Sequence, residues 1–201
     1  MVRKFVKLCR PKPTLKEALQ YLEKGHYGVD QSAYVSPEDR IRKLQAFEAE
    51  TEKLLRSHIP RGHNLTLVML KCHIILEFML NKFIELVAHC EVDISKERFS
   101  FAQKITLLHL LGFPPNPTTI PSLEILNGLR NQVAHALELD HQKVDLLIRI
   151  NSDDPDEVGA LDDEGRAKWI KTITAFIAGV ILGCVMAHNV DAWEETTARN
   201  R

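Results

Sequence analysis

Cysteine is scarce in this chain and never paired: Cys9, Cys72, Cys90 and Cys184 are scattered over 201 residues with no C-x-x-C between them. That spacing argues against a zinc ribbon and against a disulfide framework, and fits reduced thiols in a cytoplasmic protein. Neither sign of charge dominates, since 26 Lys and Arg face 27 Asp and Glu. A partner held by bulk positive charge, such as generic duplex DNA, is therefore not indicated, and any contact with nucleic acid has to be local. The start, MVRKFVKLCRPKP, lacks the apolar stretch and small-residue cleavage site of a secretory signal. Gly-rich phosphate loops, the nucleophile elbow and H-E-x-x-H are missing too. The acidic run from Asp153 to Glu164 lacks the Asp-x-Asp-x-Asp-Gly order of a calcium loop and reads as a solvated loop. His73, His89 and Cys90 are metal ligands by type, but the two ends of that set are more than four turns apart on one helix, so no metal or other cofactor is expected.

Alternating β-branched runs are nearly absent as well, with VDLLIRI (144–150) the single short strand candidate. What is present reads as helix. Thr14-Leu-Lys-Glu17 has a capping-box pattern that opens a short helix ending near Gly25. Ser36 as N-cap, Pro37 at the first helical position and Glu38 and Asp39 in the first turn open a second, to about residue 57. A third, about 63–90, is apolar nearly all the way round and should be the central element. Ser95 is expected to cap a fourth, to about Leu111. The proline-rich GFPPNPTTIP then forces an extended loop before a fifth, from about 120 to 139.

The sixth follows the acidic loop and contains ITAFIAGVILGCVMA (173–187), with Gly179 and Gly183 in G-x-x-x-G spacing. This run is shorter than the ~20 apolar residues of a membrane span. It is closed off by Lys171 and His188, so it is expected in a core or a dimer seam and not in a membrane. The fold class is all-α, an antiparallel helical bundle over 37–190, with a basic arm and short helix over 1–36 and a tail over 191–201. The arm (Arg3, Lys4, Lys7, Arg10, Lys12, Lys16) reads as a solubilising segment, with contact to an RNA backbone as the other reading.

Within the central helix His73, Glu77 and Asn81 recur every four residues and line one face. A carboxylate buried there needs a hydrogen bond, a proton or a cation, and Arg130 is the expected cation. On the fifth helix Glu124, Asn127, Asn131 and His135 share a face, while Leu126, Leu129, Val133 and Leu137 share another. Arg130 and His135 are about 140° apart on an ideal helix. They converge if the Arg stem wraps, if the helix kinks near Gly128, or if two chains contribute; the last suits a homodimer. The apolar surface of the third and sixth helices points the same way, to a homodimer with its cleft near the two-fold axis.

Arg130-Asn131-Gln132-Val133-Ala134-His135 resembles the R-x(4-6)-H motif, with a polar residue after the Arg, that marks the HEPN superfamily (higher eukaryotes and prokaryotes nucleotide-binding). The long core helix carrying an acid, here Glu77, resembles it too. The resemblance spans roughly 37–190 and implies an all-α domain of the kind found among metal-independent ribonucleases of toxin–antitoxin and abortive-infection systems. It implies RNA as substrate, an antitoxin protein as partner, Arg130, His135 and Asn131 as catalytic residues, and Glu77, His73 and Asn127 in support. HEPN toxins modified by a nucleotidyltransferase carry Tyr two residues after the motif His; here Leu137 stands there, so that partnership is not implied. The chemistry fits the residue types: an imidazole titrates near neutral pH, and a guanidinium grips phosphate oxygens bidentately. The alternative is a catalytically inactive HEPN-like regulator or interaction module, such as a mannitol-operon-repressor-like helical protein.

Overall fold

The computed structural model describes residues 36–88, 94–114, 116–136 and 138–191, with 194 and 198 singly. The expected Thr14 helix, the basic arm, His89, Cys90 and Leu137 lie outside the described residues. Among the described residues there are six α-helices and no strand: α1 (Pro37–His58), α2 (Leu65–Val87), α3 (Phe101–Leu110), α4 (Thr119–Ala136), α5 (His141–Asn151) and α6 (Asp163–His188). Short 3-10 segments occupy Ile94–Lys96 and Pro155–Ala160. The described residues form an all-helical bundle.

Helix starts follow side chains that satisfy the first free N–H groups. Ser36 Oγ accepts from Asp39 N with Pro37 just inside, Asn64 accepts from Leu67 N, Asp140 from Lys143 N and Asp162 from Gly165 N. The cap expected at Ser95 is instead Ser100, which forms a reciprocal capping box with Gln103. Ser95 lies in the 3-10 segment Ile94–Lys96. Gly112, at φ +78°, ends α3 in the left-handed region that favours glycine, and Phe113 N donates back to Leu108 O at 2.9 Å.

VDLLIRI is not a strand but the body of α5. Val144, Leu147 and Ile148 are buried, which is the i, i+3, i+4 spacing of a helix face, and the Asp140 cap precedes them. The β-branched content of so short a run was a weaker signal than that spacing. The acidic stretch expected to be loop throughout carries Val158 into the core through the 3-10 segment Pro155–Ala160.

Twelve of the 23 residues of α2 are buried, on a surface that meets α1, α3, α4 and α6. Antiparallel packing holds for α1, whose start meets the far end of α6 through Arg40 and Asp191 at 3.6 Å. It does not hold throughout. α6 runs parallel to α2, because His63 meets Glu164 at one end while Phe83 meets His188 at the other. α3 also runs parallel to α2, with Phe101 on His73 and Phe113, just beyond α3, on Phe83. Short loops force reversal; these helices are joined to α2 through longer stretches of chain that leave direction free. Among the described residues α6 is the helix long and apolar enough to cross a membrane by length and composition. One of its faces, Ile170, Ile173, Thr174, Ile177, Ile181 and Val185, is buried in the bundle.

Leu80 is fully buried at the middle of α2. Leu80→Ala is expected to lower the unfolding free energy by about 2–5 kcal/mol, through lost transfer energy plus the cavity left behind. Lys71→Ala, on the exposed side of the same helix, should change it by less than about 0.5 kcal/mol. Urea denaturation followed by helical circular dichroism measures both.

Candidate functional site

The polar face of α2 meets α3 and not empty solvent. Glu77 Oε1 accepts from Lys104 Nζ at 2.6 Å, with the lysine side chain 6% exposed and the carboxylate 38%. Lys104, rather than Arg130, is thus the cation paired with Glu77. An ammonium that buried needs a counter-charge, and Glu77 supplies it from the bundle's edge. Sequence reasoning missed Lys104, yet a signal was there. Phe101, Lys104, Ile105 and Leu108 occupy i, i+3, i+4, i+7 on the buried face of α3, so a lysine stands on an apolar stripe.

One turn before Glu77, His73 is buried and its ring lies over Phe101, centroids 4.3 Å apart. Its Nε2 has no hydrogen-bond partner. Burial pushes the pKa of His73 down; Glu77 opposes that, Arg130 and Lys104 reinforce it, and Asn127 opposes it. Desolvation is the largest cause because an imidazolium loses more hydration than a neutral imidazole. Arg130 and Asn127, which act on His73 from α4, stand three residues apart on that helix. Asn81, the third residue of the α2 stripe, keeps its Oδ1 buried without a partner.

Arg130 is exposed, and its Nη1 donates to Oδ1 of the adjacent Asn131 at 3.2 Å. α4 runs through Gly128 as one helix. His135 is in its last turn, exposed, where a basic side chain suits the negative end of the helix dipole. Five residues of helix put it about 7.5 Å further along the axis and about 140° round from Arg130. The structure therefore gathers His73, Glu77, Lys104, Asn127 and Arg130 at the α2–α3–α4 junction. Among the described residues no hydrogen bond or ion pair joins Asn131 or His135 to the first three of these. Among the described residues no three His, Cys, Asp or Glu side chains gather as a metal site. What the cluster offers chemically is an exposed guanidinium near a half-buried, internally neutralised ion pair and a neutral imidazole.

Two measurements follow from this arrangement. His73 has a lower pKa folded than unfolded, so the unfolded chain binds the extra proton and stability falls as pH drops below about 6.5, through the folded value. His73→Phe should remove that component, so the urea midpoint of the wild type should fall relative to that of the variant between pH 8 and pH 5. Glu77→Gln leaves the Lys104 ammonium buried without a counter-charge. It should cost about 1–3 kcal/mol of stability, less than a fully buried pair because Glu77 is partly hydrated. Arg130→Ala should cost less than about 0.5 kcal/mol, an ordering that reverses if Arg130 is the partner of Glu77.

Comparison with known proteins gives no matching family model, no matching curated protein and no matching solved structure.

Proposed function

We propose that this chain is a metal-independent endoribonuclease of the HEPN type, acting on single-stranded RNA as the toxin of a toxin–antitoxin or phage-defence pair. The observation that supports it most is Arg130. Its guanidinium is exposed, has no acidic partner among the described residues, and is braced by Asn131 on the helix that also carries His135. A planar fork left free in this way suits a phosphate, whose developing charge it stabilises as the 2′-oxygen attacks phosphorus. His135 takes the 2′-hydroxyl proton and returns it to the departing 5′-oxygen, leaving a 2′,3′-cyclic phosphate and a 5′-hydroxyl. His73, Glu77 and Lys104 hold α3 against α2 and support the site from there, with Asn127 supporting it from α4.

A second reading has its own support: among the described residues no hydrogen bond or ion pair joins His135 to Arg130 or to the His73, Glu77 and Lys104 cluster. On that reading the bundle is a catalytically inactive regulator or interaction module, and Arg130 is a docking cation.

Incubating the purified protein with single-stranded RNA in excess chelator separates the two. Cleavage to cyclic-phosphate ends is expected, undiminished by chelator. His135→Ala and Arg130→Ala should each lower the rate by about 10² to 10⁴, with helical circular dichroism unchanged, and expression of the wild type alone should arrest growth. If the wild type cuts no RNA and slows no cells, while His135→Ala binds partners as the wild type does, the inactive reading replaces the catalytic one.

A further inference from the structure

The last two turns of α1 and the loop after them carry an unbalanced charge. Over the whole chain 26 Lys and Arg meet 27 Asp and Glu, yet from Lys53 to Leu76 there are four Lys or Arg and no acid. Three of those four cations come together in space. Ala49, Glu52, Lys53, Arg56 and Ser57, at i, i+3, i+4, i+7 and i+8, form one exposed stripe of α1, and with Arg61 from the loop they line one open cleft of about 410 Å³.

Arg61 is kept beside α1 by its neighbours. Pro60, before it, is buried, and the carbonyl of Gly62, after it, accepts from Lys171 Nζ at 2.8 Å. A loop pinned on both sides of an arginine presents the guanidinium with less entropy left to lose on binding. Of the charges lining the cleft, Glu52 and Arg56 neutralise each other at 2.5 Å. Lys53 and Arg61, both exposed, have no acidic partner among the described residues. The negative end of the α1 dipole, about half a charge and felt within the last turn, is outweighed by these two.

We propose that this cleft anchors the phosphodiester backbone of single-stranded nucleic acid, on an element separate from the one that carries Arg130 and His135. The lining selects this occupant. The guanidinium fork of Arg61 matches phosphate oxygens, and Lys53 supplies a second point charge for a neighbouring phosphate. Among the described residues no aromatic or large apolar side chain lines the cleft. It therefore offers no stacking platform for a base and no pocket for the apolar anchor of a protein partner. What it offers is charge, which holds phosphates without regard to sequence. That the strand is RNA, held there during cleavage, rests on the nuclease reading; the anchoring does not.

Fluorescence anisotropy with a labelled deoxythymidine strand of about 12 nucleotides tests the anchoring, because a strand without 2′-hydroxyls is not cut by the proposed chemistry. Affinity for the wild type should fall with salt. Lys53→Ala and Arg61→Ala should each reduce the slope of log affinity against log salt by about 0.7, the share of one phosphate contact on a single strand. The double variant should bind on the order of 10-fold more weakly, equally for deoxythymidine and deoxyadenosine strands, with helical circular dichroism retained. Arg42→Ala, which removes one exposed cation from the other end of α1, should change affinity less than about 2-fold. Cleavage of RNA in chelator, scored with the same proteins, separates this proposal from the nuclease reading. A protein that binds through Lys53 and Arg61 but cuts nothing keeps the anchoring and loses the nuclease; one that cuts RNA with the same KM in the double variant keeps the nuclease and loses the anchoring. A wild type that leaves the strand unbound, or a double variant with the wild-type slope, overturns the proposal. Binding to phosphatidylserine vesicles in place of the strand overturns it too and gives the cleft to a membrane.

Discussion

Everything in this bundle depends on keeping water from α2. The helix carries apolar side chains on nearly every side, and it has neither an acid in its first turn nor a base in its last to support it alone. A helix of that composition is stable only where other elements cover it. α1, α3, α4 and α6 do so, and their order in space follows from which stripe of α2 each one covers. Cys72 and its neighbours face α6, His73 and Glu77 face α3 and α4, and Met79 lies within reach of Thr51 on α1. The direction of each covering helix matters less than its apolar stripe, which is how parallel and antiparallel neighbours coexist around one axis.

The polar residues of α2 are the exception to that burial, and they are accommodated in two different ways. Glu77 is at the bundle's edge and neutralises Lys104, which shares the buried face of α3 with Phe101 and Leu108. His73, further in, sheds its charge instead and rests against Phe101. A half-buried ion pair of this kind contributes little net stability against an apolar substitute of similar shape, but loss of Glu77 leaves the buried Lys104 charge without compensation. The pair therefore fixes how α3 registers on α2. Through that register it sets the wall beside which Arg130 emerges.

Among the described residues two exposed surfaces differ in kind. The α4 surface presents Arg130, Asn131 and His135 to solvent, polar groups that are hydrated at no great cost. The α2–α6 surface presents Ile74, Phe176 and a run of small residues, which are not.

By itself the sequence determined the helical class, the extent of α1 with its Ser36 cap, the centrality of α2 and the position of α4, because capping residues and 3.6-residue periodicity act within a few residues of chain. It misled at Ser95, where a second cap at Ser100 with Gln103 competes five residues on, and at residues 144–150, where β-branched content obscured helical spacing. Only the tertiary structure decided that Glu77 pairs with Lys104 instead of Arg130. Both cations are 27 or more residues away along the chain, so nothing local distinguishes them; the choice rests on which helix α2 turns that face toward. The same holds for the glycines of α6. Their spacing is written in the sequence, but that they face outward, with open space where a Cβ would stand, follows from the side of α6 that the bundle buries.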